Sequence, residues 1–215
     1  MIASTTAAGV YDDADHNTTQ SSLVDIFEPA GISWKAYQEG LLPSGWWCLQ
    51  PYPPEQDLGL RPHNPFMSFD NIREKVARCR NIVNAEEHFA ADIAKGQLAP
   101  QYMFYTPTLK NDAHDTNVTY TETDLKYIIN TMKSNEQFMK NTLILVTFDE
   151  NDVYSPDSYG TPNDVYSVLL SKDVLSCTSC VDPQFYNHFT MLTTLEQNRN
   201  LTNIPNPNGD GAMWD

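Results

Sequence analysis

Positive charge is scarce in this 215-residue chain: 13 Lys and Arg face 28 Asp and Glu, a formal net charge of −15. Phosphate backbones require a basic footprint, so nucleic acid and anionic membrane surfaces are disfavoured as partners. Long apolar runs are missing too. No stretch approaches the roughly 18 residues that span a bilayer, so integral membrane association is not expected. The chain has no G-x-S-x-G elbow, no H-E-x-x-H pair and no G-x-x-x-x-G-K loop. Those absences argue against a serine hydrolase of the elbow type, a zincin and a P-loop enzyme. An EF-hand starting at Asp149 would need Gly where Tyr154 stands and Glu where Gly160 stands, so that reading fails. The start, Met1 to Gly9, has no cationic segment and no apolar core, and does not read as a signal peptide. Either the protein is cytosolic or its true N-terminus lies upstream.

Cysteines are few: Cys48, Cys79, Cys177 and Cys180. One C-x-x-C pair without a second does not complete a four-ligand zinc site. Cys177-Thr-Ser-Cys180 falls in a polar loop before Pro183. It reads as a local disulfide clasp in an oxidising compartment, with Cys48–Cys79 as the other possible bridge and reduced structural thiols as the alternative. N-x-[ST] sequons at Asn17, Asn117 and Asn200 point toward a secreted glycoprotein.

What is present is organised as one domain. Residues 1–22 are small and polar, a flexible lead-in. A short amphipathic helix runs to Pro29, and Ile32–Tyr37 alternates like a strand. Residues 40–65 are Pro-rich and irregular. The stretch 71–95 is helical in two pieces meeting near 81–84, with Gly96 as the stop. A strand is predicted at 101–105, a polar loop at 108–118, and a helix from Thr121, with Asp124 as its capping partner, to about 135. Residues 142–148 read as a fully buried strand, apolar on both faces. A strand at 164–170, a helix at 184–198 and an irregular tail at 204–215 complete the chain. Strands alternating with helices imply an α/β sheet that is at least partly parallel.

The buried strand ends in Asp149-Glu150-Asn151-Asp152, hard oxygen donors at the carboxyl end of a strand, where open α/β sheets place ligands. A polar, solvated turn is the plainer alternative. Histidines accompany acids or amides in further loops, at His63-Asn64 and at Asp112-Ala113-His114-Asp115. His188 opens the last helix. Singly, such histidines ordinarily serve local hydrogen bonds, and His188 suits the edge of a core. Together, carboxylates that orient a metal and imidazoles that exchange protons make a toolkit for metal-assisted ester hydrolysis.

Phe148-Asp-Glu-Asn-Asp-Val-Tyr-Ser155 resembles the signature of the phosphoesterase family of fungal and bacterial acid phosphatases and phosphatidylcholine-type phospholipases C. Ile32-Ser-Trp-Lys-Ala-Tyr-Gln-Glu39, His63–Asp70, Tyr105-Thr-Pro107, Asn111–Asp115 and Tyr186-Asn-His188 match it in order. The resemblance spans about Leu23 to Leu201, with the catalytic-domain part taken as 23–203. It implies an α/β fold of alkaline-phosphatase type, a layered sheet with flanking helices. It implies a divalent metal, identity unknown, on Asp149 and Glu150. His63 and His114 would line a phosphate pocket, with His114 passing a proton to the leaving group and His188 a weaker member. Asp112 and Asp115 would orient His114. Ala113 stands where the family often has Gly, in a loop that could need positive φ. Family members carry a Glu-Asn metal motif and a Ser or Thr nucleophile ahead of the Ser-Trp-Lys-Ala-Tyr segment. Neither occurs before Leu23, so the resemblance implies an N-terminally truncated fragment lacking the nucleophile. The expected function is phosphoric ester hydrolysis of acid phosphatase type on a small phosphate ester, by a full-length protein that is secreted or in the cell wall. The alternatives are a phospholipase C acting on phospholipid headgroups and a non-catalytic phosphate- or metal-binding remnant.

Overall fold

The computed structural model describes residues 3, 16–41, 63–150, 164–172 and 181–204. Its helices and strands follow as α1 (Leu23–Phe27), β1 (Trp34–Gln38), α2 (Asp70–Arg73), α3 (Val76–Cys79), β2 (Ile82–Asn84), α4 (Ala85–Ile93), β3 (Tyr102–Thr106), α5 (Val118–Lys133), α6 (Glu136–Met139), β4 (Ile144–Thr147), β5 (Ser167–Leu170) and α7 (His188–Asn198).

β1 lies between β2 and β3 and pairs in parallel with both, Ala36 opposite Ile82 and Phe104. Strand side chains alternate faces, so this sheet buries two apolar surfaces. Trp34, Ala36 and Ile82 face one core with Leu23, Phe27, Phe66, Ile72 and Leu192. There Phe66 stacks on Trp34 with ring centroids 5.4 Å apart, and meets Phe104 edge-on. Tyr37 and Val83 face a second core with Phe89, Ile93, Ile128 and Met132. Each large side chain removed from water contributes about 1.5–3 kcal/mol, so both helical layers are fastened to β1 and its neighbours. The result is the expected α/β layering of a parallel sheet between helices.

Several details depart from the sequence reading. The join at 81–84 is a strand, β2, too short at three residues to show alternation. α5 begins earlier than Thr121: Asn117 caps it, its side chain accepting from the Tyr120 amide at 3.1 Å. The Thr121 hydroxyl is buried without a partner. β4 is half-buried along its length rather than fully buried, and it pairs antiparallel with β5 in a separate two-stranded sheet. The lead-in is tied down at its end, where Thr18 bridges Phe69. The tail begins packed, with the Ile204 amide bonded to Glu196 at 2.8 Å. Cys79 is disulfide-bonded. The other three cysteines, like most of the Pro-rich loop, lie outside the described residues.

A buried polar node ties α4 to β1. The Asp92 carboxylate, 1% exposed, accepts from Lys35 Nζ at 2.6 Å, the Tyr37 hydroxyl at 2.7 Å and Lys95 Nζ at 2.5 Å. Burial pushes its carboxyl up, but bonds from Lys35, Lys95 and Tyr37 outweigh that and hold it below the usual carboxylate range. Just beyond α4, Gly96 has φ +60°, and an added Cβ would sit 2.9 Å from the Gln137 Cβ. Gly96→Ala is therefore expected to cost at least about 1–2 kcal/mol from the left-handed backbone alone, with α6 displaced as well. Chemical denaturation of the variant checks this, and an unchanged midpoint would contradict it.

Candidate active site

The carboxyl ends of β1, β2 and β3 lie together because the strands are parallel and in register, Gln38 opposite Asn84 and Thr106. This is the edge of a parallel sheet where ligands collect. The chain leaving β3 turns at Pro107 into a loop that carries His114. Asn111 and Asp112 donate backbone N–H to the Thr108 carbonyl at 2.8 and 2.9 Å, and the Asp115 amide closes on Leu109 at 2.8 Å.

Asp112 and Asp115 grip His114 from two sides. The Asp112 carboxylate accepts from the His114 backbone N–H at 2.8 Å, and Asp115 lies 3.0 Å from its Nδ1. A carboxylate on one ring nitrogen is the usual device for orienting an imidazole. The residue between them, Ala113, has φ 80°. The sequence reading anticipated this: a loop that needs positive φ, filled by a residue with a Cβ.

His63 arrives from a different segment, 51 positions earlier. Its ring meets that of His114 edge to face, with centroids 5.7 Å apart. The neighbouring Asn64 is fully buried. Its Oδ1 accepts from the Phe66 amide at 3.2 Å, starting a short 3-10 turn over Pro65–Ser68. That turn delivers Phe66 to the core, and so fixes where His63 emerges. Three buried polar atoms in these segments lack partners: Asn64 Nδ2, Gln38 Oε1 and Thr106 Oγ1. Unsatisfied capacity of this kind is rare in cores and is expected where a ligand or water docks.

The other predicted residues lie apart from this loop in the chain. His188 is the first residue of α7, whose amides are capped by Asn187, and its Nε2 is buried without a partner. Asp149 and Glu150 follow β4 and are exposed. Among the described residues no group of three or more His, Cys, Asp or Glu side chains converges as a metal shell. Two adjacent exposed carboxylates fall well short of the six or more oxygens a hard cation takes. The described donor set therefore does not by itself fit a resident metal.

Glu39 is the residue that motif reasoning left without a role. It follows β1 and is buried, and its carboxylate accepts from the Tyr105 hydroxyl at 2.6 Å, the Thr108 amide at 2.9 Å and Asn111 Nδ2 at 2.8 Å. In the sequence it closes the Ile32–Glu39 segment that resembles the family, an acid directly after an alternating strand with nothing to show its partners. Asp124, read from sequence as a capping residue, instead faces Glu39. Burial, the charge and hydrogen bond of Glu39, and the charge of Glu86 push its carboxyl up to about 6.

Layered α/β architecture with a histidine pair at the carboxyl edge of its sheet defines the class. The Phosphoesterase family model matches residues 4–202, and the chain belongs to that family. It is 36% identical over 198 residues to a probable acid phosphatase of Kluyveromyces lactis, covering 90% of this chain and 45% of that protein. It is 34% identical over 188 residues to a phosphate-repressible acid phosphatase of Penicillium chrysogenum, covering 86% and 43%. An acid phosphatase of Aspergillus niger is 34% identical over 194 residues, again covering 86% and 43%. The chain thus spans less than half the length of these relatives.

The Ala113 backbone supplies a test. Ala113→Gly should relieve the left-handed strain and raise unfolding stability by about 1 kcal/mol. Thermal denaturation showing a lower midpoint for the variant would contradict the strained-loop reading.

Proposed function

We propose that this chain forms the phosphate-binding side of a phosphoric ester hydrolase of acid phosphatase type. The observation that carries the reading is the approach of His63 to His114 at the carboxyl edge of a parallel sheet. Two imidazoles there can donate to phosphoryl oxygens, and an oriented His114 can pass a proton to a leaving group. The names of the relatives support a small phosphate ester over a phospholipid headgroup. Asp112 and Asp115 set the ring; they do not touch the ester. His188 is proposed as a further member of the pocket. Asp149 and Glu150 are proposed as two of the oxygen donors to a divalent cation whose remaining ligands lie beyond the described donor set.

Charge favours work in acid. The protein carries −15 formally, and an anionic ester must approach acidic side chains. Lower pH neutralises carboxylates and charges imidazoles in general, so repulsion falls and attraction rises together. The disulfide at Cys79 supports an oxidising compartment, and the exposure of Asn17, Asn117 and Asn200 suits glycosylation of a secreted protein. No described helix is long and apolar enough to cross a membrane.

Calorimetry with orthophosphate at pH 5 tests the binding step. His63→Ala and His114→Ala should each weaken binding about 10- to 100-fold, the loss expected for a hydrogen bond to a charged group. Affinity unchanged in both variants would sink the proposal. Comparing release from p-nitrophenyl phosphate and phosphatidylcholine separates the substrate classes, with turnover of the lipid alone counting against the phosphatase reading.

A further inference from the structure

We propose that Glu39 and Asp124 form a proton-sharing carboxyl pair that positions the His114 loop and holds it in place in acid. The inference rests on the phosphate-binding reading for its purpose, but its geometry stands alone. The Glu39 side chain joins the end of β1 to three points around the loop. Tyr105 lies at the end of β3, Thr108 is where the loop folds back, and Asn111 stands three residues before His114. With two of these donors on the loop itself, the carboxylate fixes the base of the segment on which Asp112, His114 and Asp115 sit.

Asp124 reaches the same carboxylate from the second turn of α5 and hydrogen-bonds to it. Two carboxyl groups can bond to each other only if one keeps its proton. Asp124 is the half-buried member, facing only carboxylates and a phenol among the described residues, while Glu39 is bonded to three donors. The proton therefore belongs on Asp124, which donates to Glu39. The groups facing Asp124 among the described residues are Glu39 from the end of β1, Glu86 from α4 and the Tyr105 phenol from β3. Glu86 Oε1 accepts from the Gly40 amide at 3.0 Å, which brings a third carboxylate against the same turn. None of these neighbours offers positive charge to an ionised Asp124.

Asp124 holds its proton more tightly in the folded protein than its ordinary value of 3.8, at about 6. Its favourable contribution is fully present below the ordinary value and is lost as pH rises through about 6. Above that pH the pair becomes two repelling carboxylates, and the bonds of Glu39 to Thr108 and Asn111 are the contacts next to the repulsion. His114 would then be held firmly in acid and loosely at neutral pH. Glu39 and Asp124 are positioning residues, acting on substrate only through the loop.

Amide hydrogen exchange by NMR on the intact chain tests this without any substrate. The Thr108 amide protection factor, taken relative to intrinsic exchange, should fall at least tenfold between pH 4.5 and 7.5 with a midpoint near 6. Asp124→Asn keeps a donor to Glu39 at every pH and should make that protection flat. Glu39→Gln, which loses the full carboxylate, should lower Thr108 protection at pH 4.5. The Tyr102 amide, bonded to Ser33 at the opposite end of the sheet at 3.0 Å, serves as the control. A flat wild-type profile, an Asp124→Asn profile like that of wild type, or an equal fall at Tyr102 would each overturn the proposal. Orthophosphate affinity followed over the same pH range in wild type and Asp124→Asn separates the two readings. Absence of binding in both would fail the phosphate reading and leave the exchange result to decide the clamp. A pH dependence of affinity that weakens in Asp124→Asn supports both.

Discussion

The central position of β1 is the constraint on which the rest of the structure depends. A strand with parallel neighbours on both sides has no free edge and no solvent face. Trp34 and Ala36 must be covered by one helical layer, and Tyr37 by another. Lys35 also points into the second layer, and its ammonium is matched by the buried Asp92 carboxylate. Such a node is worth little over an apolar substitute, but it penalises any other register, because a shifted β1 would bury Lys35 without its partner. Parallel pairing has a second effect. It brings the ends of β1 and β3 to one edge, so Glu39 and Thr108 meet there although they are 69 positions apart.

The chemistry at that edge follows from which groups are rigid. Phe66 is locked between Trp34 and Phe104, so His63 leaves a fixed turn. His114 is exposed. Its loop is held by Glu39, Asp112 and Asp115, and contains Ala113 in a conformation that disfavours it. One histidine is thus placed by packing and the other by carboxylates. Packing is indifferent to pH, whereas carboxylate bonds are not. In the proposed clamp, a site assembled from both kinds of support keeps its scaffold across pH while one of its two rings responds.

Much of the fold was legible because its signals are local. The alternation at Ile32–Tyr37, the apolar rhythm of α4 and the stop at Gly96 each specify an element within a few residues, and β1, α4 and the turn appear where those signals put them. β2 was not legible, since Ile82-Val-Asn84 becomes a strand only by pairing with Ala36–Gln38. The half-buried state of β4 was hidden for a related reason. An apolar sequence states what a strand would tolerate, and its neighbours decide what it receives. The histidine pair could be suspected from motif resemblance, yet the contact between His63 and His114 is tertiary. Glu39 was the harder case, because it closes a matched segment yet a single acid after a strand does not reveal what it bonds. Its partners come from β3 and the loop beyond, and no spacing rule connects them.

The same distinction explains why the two halves of the predicted site differ. The segments that carry His63 and His114 are tied to the three-stranded sheet, one through Phe66 and the other through Glu39. Asp149 and Glu150 extend from a two-stranded ribbon, and such ribbons are marginal unless packed against something else. Ile144 packs this one against the second core, but Phe148 and Leu169 are each about half exposed. Exposed carboxylates on a lightly supported strand end lose considerable freedom on closing around a cation, and that entropy opposes binding. Any cation site built on Asp149 and Glu150 must therefore draw most of its affinity from additional ligands that also hold the ribbon. The histidine edge needs no such help to keep its shape, so the proposed phosphate recognition and the proposed cation capture can be tested separately.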